Sequence, residues 1–588
     1  MLNQEARREK RKQRKLEEKG MWKKYFRLLF KAKLPWVMLI ILIILDLGYS
    51  TILLQFPQYV QKITAGDISN EVIFGVVAVS VGGVLVYGIV GYYRRIVMAK
   101  IDVSYRNLIW QRLMKSPISL YDKVKANEMV SRAANDTATI SDMLGSVLPR
   151  LISTVYSFVF ILIMLKSYDW RLVACLVLFA PIYIGVNIWY GKWYYRANKQ
   201  TQNRLAQVTQ FLSELLMNVP LIKSFNTEKK EERRGKEYLH QYYKVSMKRN
   251  LIELGTSPIL TALSLGLDLF VVVFGIYLVS SKSITIDIWV AFFLYTKQYM
   301  GQVGSIITIY NQTKRNQGIT SRIALLVEGE LEQYERKQSL TTTEQDIVFD
   351  HVDFGYEDKI VLKDISFRIP HGKRTAIIGP SGSGKSTILA LIQQLYAPSS
   401  GSIRFGNEPV ERFHLPEWRN MFSYVAQDSP LLNGSIRDNI VYGVNRQVSE
   451  FEIAEAAKVG DALTYIKDSP NGFDTQVGEN GSNLSGGQRK RIMIAQAVLR
   501  NADILLLDEA MVGLDGSSEK AVQEALDKLM VGKTSIILTH DLSTIINADQ
   551  IILLNEGKVE ATGTHDQLMS SSDLYQQFVR YLTQSSVG

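Results

Sequence analysis

Six long apolar segments occupy the first 310 residues of this 588-residue chain, and none follows them. Each is long enough to cross about 30 Å of hydrocarbon as a helix. The segments are Trp36–Phe56, Val72–Tyr93, Val147–Leu165, Trp170–Tyr190, Ser257–Ser280 and the less purely apolar Ile284–Tyr310. This pattern predicts an all-α membrane domain of six helices, followed by a domain of a different kind.

The loops between these segments differ in positive charge. Arg94–Asp142 contains 9 Lys and Arg residues and Gly191–Thr256 contains 13, whereas the three short loops contain one lysine each. Because cytoplasmic loops hold the excess of positive charge, both long loops, both termini and the second half of the chain are predicted to be cytoplasmic. The chain is therefore expected in the cell membrane, among its lipids, as a multi-pass protein.

The N-terminal 33 residues hold nine of the chain's eleven net positive charges. Such a concentrated charge does not suit a nucleic-acid-binding face, so no nucleic-acid partner is expected. Residues 21–34 have one apolar face and predict an amphipathic helix in the lipid headgroups, preceded by a solvated basic arm at 1–20. The single cysteine, Cys175, excludes a disulfide framework.

The sequence changes character after the sixth segment. We predict a transmembrane domain at 35–312 with two cytoplasmic extensions, a linker at 313–345, and a soluble domain at 346–588. In the last, short β-rich runs alternate with helical stretches, which is typical of an α/β fold. The predicted strands are Ile347–Phe354, Arg374–Ile378, Ser423–Ala426, Ile504–Leu507 and Ser535–Leu538.

A glycine-rich loop directly follows the predicted strand Arg374–Ile378 and precedes an apolar helix. Its residues are Gly379, Pro380, Ser381, Gly382, Ser383, Gly384, Lys385, Ser386 and Thr387. Glycines let the backbone approach a phosphate group, and the amides of such a loop converge on the anion. We predict that Lys385 reaches the terminal phosphates of a nucleotide and that the hydroxyl of Ser386 binds Mg²⁺.

A second motif in the same domain agrees with nucleotide chemistry. The apolar strand Ile504–Leu507 ends in two carboxylates, Asp508 and Glu509. Asp508 suits the coordination shell of Mg²⁺, directly or through water, and Glu509 suits the polarisation of an attacking water. A solvated turn is the alternative, but it does not account for a phosphate-binding loop in the same domain.

The segment Asn483–Gln488 resembles the signature sequence of ATP-binding-cassette (ABC) proteins. The resemblance implies ATP and Mg²⁺ as cofactors, and it implies that Ser485, Gly487 and Gln488 cap an ATP bound by a second cassette. Other residues resemble further landmarks of the family: Tyr356 the aromatic that stacks on adenine, Gln427 the glutamine beside ATP and Mg²⁺, Asp515 the aspartate of the dimer contact, and His540 the histidine that touches the γ-phosphate.

Two features resemble the exporter branch of this family. Thr475–Gly481 resembles an exporter-specific loop, and the stretches 127–136 and 214–225 resemble the extensions with coupling helices. The whole chain thus resembles a half-transporter that exports a hydrophobic or amphipathic substrate, such as a drug, a lipid or a mature peptide, by alternating access. Export implies an ATP hydrolase with Lys385, Glu509 and His540 in the catalytic site.

A half-transporter needs a second copy or a related chain as partner. Glu509 and the signature match the family pattern. A homodimer is therefore the simplest assembly that completes two equal ATP sites, and a heterodimer is the alternative. Two departures from the family pattern, at Met511–Gly513 and at Asp541, lie near the expected dimer contact. Other functions consistent with the motifs are an ATP-gated channel, a drug-sensing module, or an exporter-like importer of siderophore type.

Two carboxylates, Asp46 and Asp268, lie inside predicted spans, where an ionised group costs at least about 2.5 kcal/mol. Such groups normally face a cavity or a partner. Polar residues at helical spacing suggest a substrate pathway lined by Asp46, Tyr49, Ser264, Asp268, Tyr295, Gln298 and Gln302. A negative pathway would favour cationic amphipaths. The alternative is that Lys297 neutralises one of the aspartates as a buried pair.

Overall fold

A computed structural model describes residues 32–124, 126–332, 334, 338–340, 342–357, 359–510 and 516–586. The basic arm 1–20, nearly all of the interfacial helix 21–34, and the residues Met511–Gly513 and Asp515 lie outside this part. The chain forms two compact units. The first ends at Gly329 and excludes residues 115–124, which group with the second unit.

All regular secondary structure in the described residues of the first unit is helical. Its helices are α1 (Trp36–Thr64), α2 (Asn70–Met114), α4 (Ala126–Ser131), α5 (Thr137–Asp142), α6 (Leu148–Tyr168), α7 (Trp170–Met217), α8 (Val219–Ser224), α9 (Glu228–Ser280) and α10 (Ile286–Glu328). Two π-helical turns, Arg132–Asp136 and Met143–Val147, continue α4 and α5 toward α6. The long helices therefore extend well beyond the apolar runs that predicted them.

Five helical stretches of the described chain are long and apolar enough to cross a membrane. They are Trp36–Thr64, Asn70–Met114, Met129–Tyr168, Trp170–Met217 and Thr261–Ser280. The sixth predicted span lies in α10, a helix of 43 residues that is not among these five, in keeping with its less apolar sequence. The expectation of an all-α membrane domain is confirmed.

One buried apolar cluster joins five of the long helices. It includes Leu54 of α1, Ile161 of α6, Leu176 of α7, Val271 of α9 and Phe292 of α10. Each of these side chains is at most 2% exposed. The bundle is therefore held by close packing between helices, and the polar residues of the same helices are positioned by it.

The second unit is an α/β domain that also includes the short helix α3 (Ile118–Lys123). Its strands are β1 (Ile347–Tyr356), β2 (Lys359–Ile369), β3 (Arg374–Ile378), β4 (Ser400–Phe405), β5 (Glu408–Pro409), β6 (Phe422–Val425), β7 (Ile504–Asp508), β8 (Thr534–Leu538), β9 (Gln550–Asn555) and β10 (Lys558–Gly563). Its further helices are α11 (Lys385–Ile392), α12 (Leu415–Asn420), α13 (Ile436–Val441), α14 (Glu450–Val459), α15 (Leu463–Asp468), α16 (Gly486–Arg500), α17 (Gly516–Met530), α18 (Leu542–Ile546), α19 (His565–Ser571) and α20 (Asp573–Ser586).

The strands form two sheets. A four-stranded antiparallel sheet has the order β2-β1-β4-β5, and a six-stranded sheet has the order β10-β9-β3-β8-β7-β6. In the larger sheet all neighbours except β10 and β9 are parallel. Strands β7 and β8 are buried along their whole length, as their continuous apolar sequences predict. All five predicted strands are present, within two residues at each end.

Candidate functional site

Four parallel strands of the larger sheet end beside one another, and each is followed by predicted site residues. The glycine-rich loop follows β3, Asp508 ends β7 and Glu509 follows it, His540 follows β8, and Gln427 follows β6. Because the carboxyl ends of neighbouring parallel strands meet at one edge of a sheet, residues far apart in sequence converge there. This edge is the candidate active site.

The glycine-rich loop needs its glycines for conformation and for space. Gly379 and Gly384 have φ values of +149° and +103°, in the left-handed region that suits glycine. A Cβ atom on Gly379 would lie 2.1 Å from the carbonyl oxygen of Leu554. The loop therefore adopts a backbone that side chains would block, and it ends at the first turn of α11, where amides are free to bind an anion.

Lys385 begins α11 and extends its side chain back into the loop. The residue is 8% exposed, and its ammonium donates hydrogen bonds of 2.8 Å and 3.0 Å to the carbonyl oxygens of Gly379 and Pro380. Burial lowers the pKa of Lys385, while the carboxylates of Glu509 and Asp508 oppose that shift. The ammonium is thus held inside the loop, where the terminal phosphates of a nucleotide would reach it.

Asp508 is 7% exposed at the end of β7. Burial raises its pKa, whereas a 3.2 Å hydrogen bond from the hydroxyl of Tyr424 and another from Ser386 favour the ionised form. Ser386 and Asp508 are therefore brought together, as predicted for residues that share one cation. Carboxylate and hydroxyl oxygens are ligands that suit Mg²⁺.

Glu509 adopts a left-handed backbone conformation, with φ of +47°. Its carboxylate accepts a 2.6 Å hydrogen bond from the side-chain amide of Gln427 and lies 3.3 Å from Nε2 of His540. A left-handed conformation is unfavourable for a residue other than glycine and persists only where surrounding contacts support it. The carboxylate is therefore held in one direction between Gln427 and His540.

His540 contacts Glu509 from the end of β8. Burial lowers the pKa of His540 and the positive charge of Lys385 lowers it further, while Glu509 has the opposite effect. The imidazole is consequently neutral at neutral pH, with one nitrogen available to donate a hydrogen bond. Lys385, Asp508, Glu509, His540 and Gln427 form one connected polar site.

Tyr356 lies at the end of β1 and is 37% exposed. Phe354 and Tyr396 stand edge-on to its ring, with centroids 5.0 Å and 5.1 Å away. Its hydroxyl lies 3.4 Å from Oγ1 of Thr387, the last residue of the glycine-rich loop. The ring is therefore supported by two aromatic neighbours beside the phosphate-binding loop, as expected of a platform for a nucleotide base.

The signature residues begin a different helix, α16. The side chain of Ser485 accepts a 3.2 Å hydrogen bond from the amide of Gln488, whose own side chain accepts a 2.9 Å bond from the amide of Ser485. This reciprocal cap fixes the first turn of α16, which includes Gly487. The described hydrogen bonds of these residues join them to each other, to other residues of α16 and to Tyr465. None of these bonds reaches the site at the strand ends of the same chain.

A second candidate site is a cavity of about 1130 Å³ among the helices of the first unit. Of the predicted pathway residues, Asp46, Tyr49, Gln298 and Gln302 line it, and Ser264, Asp268 and Tyr295 do not. Tyr295 is fully buried and donates a 3.1 Å hydrogen bond to the carbonyl oxygen of Leu54. Asp268 forms an ion pair with Lys297, which is the alternative that the sequence left open.

The charge of this cavity is opposite to the predicted one. Oδ1 of Asp46 lies 2.5 Å from a terminal guanidinium nitrogen of Arg94, and Arg95 and Arg150 also line the cavity. Its lining thus has three guanidinium groups and one carboxylate, so the expectation of a negative pathway is wrong. Arg150 lies inside a predicted span, and that intramembrane charge was the available signal. Arg94 and Arg95 follow a predicted span, a position in which basic residues indicate only topology.

Comparisons with known proteins agree with both halves of the chain. Residues 36–303 match the family described as the ABC transporter transmembrane region, and residues 362–512 match the family described as ABC transporter. A multidrug resistance ABC transporter ATP-binding and permease protein of Lactococcus lactis is 30% identical over 570 residues, covering 96% of each chain. An ATP-dependent lipid A-core flippase of Vibrio vulnificus is 31% identical over 490 residues, covering 82% of this chain and 83% of its own.

A solved structure shows the same fold. It is described as a bacterial Atm1-family ABC exporter with ATP bound, and it aligns with a TM-score of 0.80 at 24% identity. The alignment covers 93% of this chain and 97% of the exporter chain.

Proposed function

Because the chain belongs to the ABC transporters, as an exporter-type half-transporter whose ATP hydrolysis is coupled to transport, we propose that it exports amphipathic molecules across the cell membrane by alternating access. The observation on which this rests is the convergence of Lys385, Asp508, Glu509 and His540 at one sheet edge, in the same chain as the apolar helices. The cytoplasmic placement of both termini follows from the loop charges.

The phosphate-binding residues have complementary roles in this proposal. The amides of the glycine-rich loop and the N-terminus of α11 bind the β- and γ-phosphates, and Lys385 exchanges its carbonyl acceptors for phosphate oxygens. Tyr356 stacks on adenine. Its two edge-on aromatic neighbours hold the ring in place, which reduces the entropy lost on binding.

A magnesium ion would be held by Ser386 and Gln427, with Asp508 directly or through water. Among the described residues no three His, Cys, Asp or Glu side chains cluster as metal ligands. That sparse donor set suits Mg²⁺, which usually keeps several waters and takes its remaining ligands from substrate phosphates. When bound, the ion neutralises charge on the β- and γ-phosphate oxygens.

The hydrolytic step is assigned to Glu509 and His540. The carboxylate of Glu509 accepts a hydrogen bond from the attacking water and orients it toward the γ-phosphate. Gln427 and His540 hold that carboxylate from two sides before ATP binds, and with ATP bound the single N–H of the neutral imidazole donates to a γ-phosphate oxygen in place of Glu509. The contribution of the chain is thus positioning and electrostatic stabilisation.

Two copies of the chain would complete two equal ATP sites. Ser485, Gly487 and Gln488 have their described hydrogen bonds away from the strand-end site of their own chain, so they are free to cap an ATP on a partner cassette. A C₂ homodimer uses the same surface on both copies and closes with no further partner. In a heterodimer, by contrast, damaged motifs would lie on the other chain.

The arginines of the transmembrane cavity favour an amphipath with an anionic headgroup. Asp46 forms an ion pair with Arg94 and also interacts with the positive charge of Arg150, while Arg95 at the same cavity is exposed, so one carboxylate faces three guanidinium groups. An excess of guanidinium charge in a cavity attracts an acidic ligand such as a phosphate. Apolar and aromatic residues, including Val79, line the rest of the cavity and would contact the tail.

The test uses the purified chain in sealed vesicles with three amphipaths of equal tail and different headgroup charge. We expect ATP-dependent movement of the anionic amphipath, faster than that of the cationic one, and loss of this preference in Arg150→Gln. Movement of the cationic amphipath alone would contradict the headgroup assignment. ATP-dependent ion conductance without amphipath movement would indicate a gated channel, and uptake instead of release would indicate an importer.

A further inference from the structure

Lys490 is a buried lysine that the nucleotide chemistry described above does not use. It lies on α16, five residues after Ser485, and is 4% exposed. Its ammonium donates a 2.9 Å hydrogen bond to the backbone carbonyl oxygen of Glu509. A buried ammonium is unfavourable unless it is hydrogen-bonded or near negative charge, and the carboxylates of Glu509, Asp508 and Asp428 supply that charge.

The hydrogen bond from Lys490 supports an unfavourable backbone conformation, because its acceptor belongs to Glu509, whose φ is in the left-handed region. The amide of Glu509 donates a 3.0 Å hydrogen bond to the carbonyl oxygen of Leu538 on β8, and its carbonyl oxygen accepts from Lys490. The backbone N–H and the backbone carbonyl of Glu509 are therefore each fixed by a hydrogen bond, one to β8 and the other from α16. Since φ and ψ determine where the side chain points, the contact with Lys490 also determines where the carboxylate of Glu509 lies.

The helix that contains Lys490 is fixed to two different cores. Ile492 and Met493 pack with the helices α13 to α15, whereas Ile494 and Ala497 pack with Leu505 and other residues of β7. One rigid helix thus connects the signature cap at its N-terminus with the strand that ends at Glu509. A displacement of the signature end would change the position of Lys490 one and a half turns later.

We propose that Lys490 is a positioning residue that connects the two ATP sites of the dimer: when Ser485 closes on the partner's ATP, Lys490 sets the carboxylate of Glu509 in its own chain. This inference depends on the proposed cassette dimer. It assigns to the signature helix a role in the site of its own chain, in addition to its contact with the nucleotide of the partner.

The first test measures ATP hydrolysis and ATP binding in the full chain with Lys490→Met, which keeps an unbranched apolar stem and removes the ammonium. We expect kcat to fall about tenfold or more, with the Kd for ATP within about twofold of the parent, because a small misplacement of a catalytic group is costly. The matched control is Lys533→Met. Lys533 is a half-buried cassette lysine, and its ammonium donates to the side chain of Asn501 instead.

A kcat of Lys490→Met within threefold of the parent would overturn the positioning role, and so would an equal loss in Lys533→Met. Should Lys490→Met not yield folded protein, Lys490→Gln carries the same expectation, because its side chain is one atom shorter and has no positive charge. A parent chain without ATPase activity would instead contradict the proposed function, so the two failures are distinguishable.

The second test uses mixed dimers with one hydrolytic site each. When Lys490→Met is in the chain that retains Glu509, we expect about tenfold less hydrolysis than when Lys490→Met is in the chain with Glu509→Gln. The opposite ranking would show that Lys490 acts on the partner's site. Equal activity in the two arrangements would overturn the connection.

Discussion

The hydroxyl of Tyr396 donates a 2.7 Å hydrogen bond to the carboxylate of Asp122 on the short helix α3. The ring of Tyr396 also stands edge-on to Tyr356, the proposed adenine platform. Burial and the carboxylate of Asp122 raise the pKa of Tyr396, so its hydroxyl stays protonated and donates. A base stacked on Tyr356 would therefore be connected to α3 through one aromatic pair and one hydrogen bond.

Tyr396→Phe tests this connection because it removes the hydrogen bond and keeps the ring. We expect an unchanged Kd for ATP and a several-fold smaller stimulation of ATPase activity by transported substrate, since a bond to a charged acceptor is worth about 1.5–3 kcal/mol. The control is Tyr575→Phe, which removes another cassette hydroxyl, bonded to His565 at 2.7 Å. Undiminished stimulation in Tyr396→Phe would show that the contact does not transmit nucleotide binding.

Glu509→Gln tests the hydrolytic assignment. The substitution keeps the size of the side chain but removes the negative charge that attracts the proton of the attacking water. We expect Mg-ATP binding to persist, steady-state hydrolysis to fall by about 10²–10⁴-fold, and the closed dimer to accumulate. Glu524→Gln, an exposed carboxylate on α17, is the control. Turnover close to that of the parent would move the role of Glu509 to His540.

Much of this site could be predicted from the sequence because its parts are local. The strand before Gly379, the glycine spacing and the two carboxylates after Leu507 are continuous in sequence, and each requires a single backbone conformation. The parallel sheet then brings them together. The pairs Asp46 with Arg94, Tyr396 with Asp122 and Lys490 with Glu509 were not predictable, because they join residues 48, 274 and 19 positions apart whose contact depends on tertiary packing.

Tyr356→Ala and Lys385→Ala should impair ATP hydrolysis in different ways. Loss of one stacking contact costs about 1–3 kcal/mol, so Tyr356→Ala should raise the KM for ATP roughly 5- to 150-fold with hydrolysis still measurable at saturation. Lys385→Ala removes the charge at the phosphates and should abolish hydrolysis. Tyr356→Phe keeps the ring and should bind ATP like the parent. Equal losses in Tyr356→Ala and Lys385→Ala would show that Tyr356 is not the adenine platform.

Asp541, where the family commonly has arginine, caps the N-terminus of α18. Its carboxylate accepts a 2.7 Å hydrogen bond from the amide of Thr544. Burial acts to raise the pKa of Asp541, but hydrogen bonds from Ser543 and Thr544 outweigh it, so the net shift is downward. Asp541→Ala should cost about 1 kcal/mol, or roughly 2–4 °C in the melting temperature of the cassette.

The pH dependence of that loss follows from the lowered pKa of Asp541. The stabilisation is complete above the unfolded-state value, about 3.9, and is lost as the pH falls through the folded-state pKa. The difference in melting temperature between the parent and Asp541→Ala should therefore be constant from about pH 6 to 8 and shrink below about pH 4. Calorimetry of the full chain measures it. A difference that grows toward acid pH would contradict the capping role.

The two carboxylates of the membrane helices each pair with a basic side chain. The side chain of Asp46 is 5% exposed and that of Arg94 is 23% exposed, whereas Asp268 and Lys297 are 20% and 48% exposed. Removing one partner of a buried pair is costly, about 3–5 kcal/mol, because the other charge is left without compensation. Asp268 and Lys297 also lie inside predicted spans, where an ionised group costs at least about 2.5 kcal/mol, so the same reasoning applies to that pair.

We therefore expect both Asp46→Asn and Asp268→Asn to lower the yield and melting temperature of the purified chain. Adding Arg94→Gln to Asp46→Asn removes the uncompensated charge and should restore most of the stability. The restored double variant retains Arg95 and Arg150, so it should still prefer the anionic amphipath in vesicles. If the double variant instead transported cationic amphipaths faster than anionic ones, Arg94 would be the residue that contacts the anionic headgroup. The ion pair between Arg94 and Asp46 would then control the charge of the cavity.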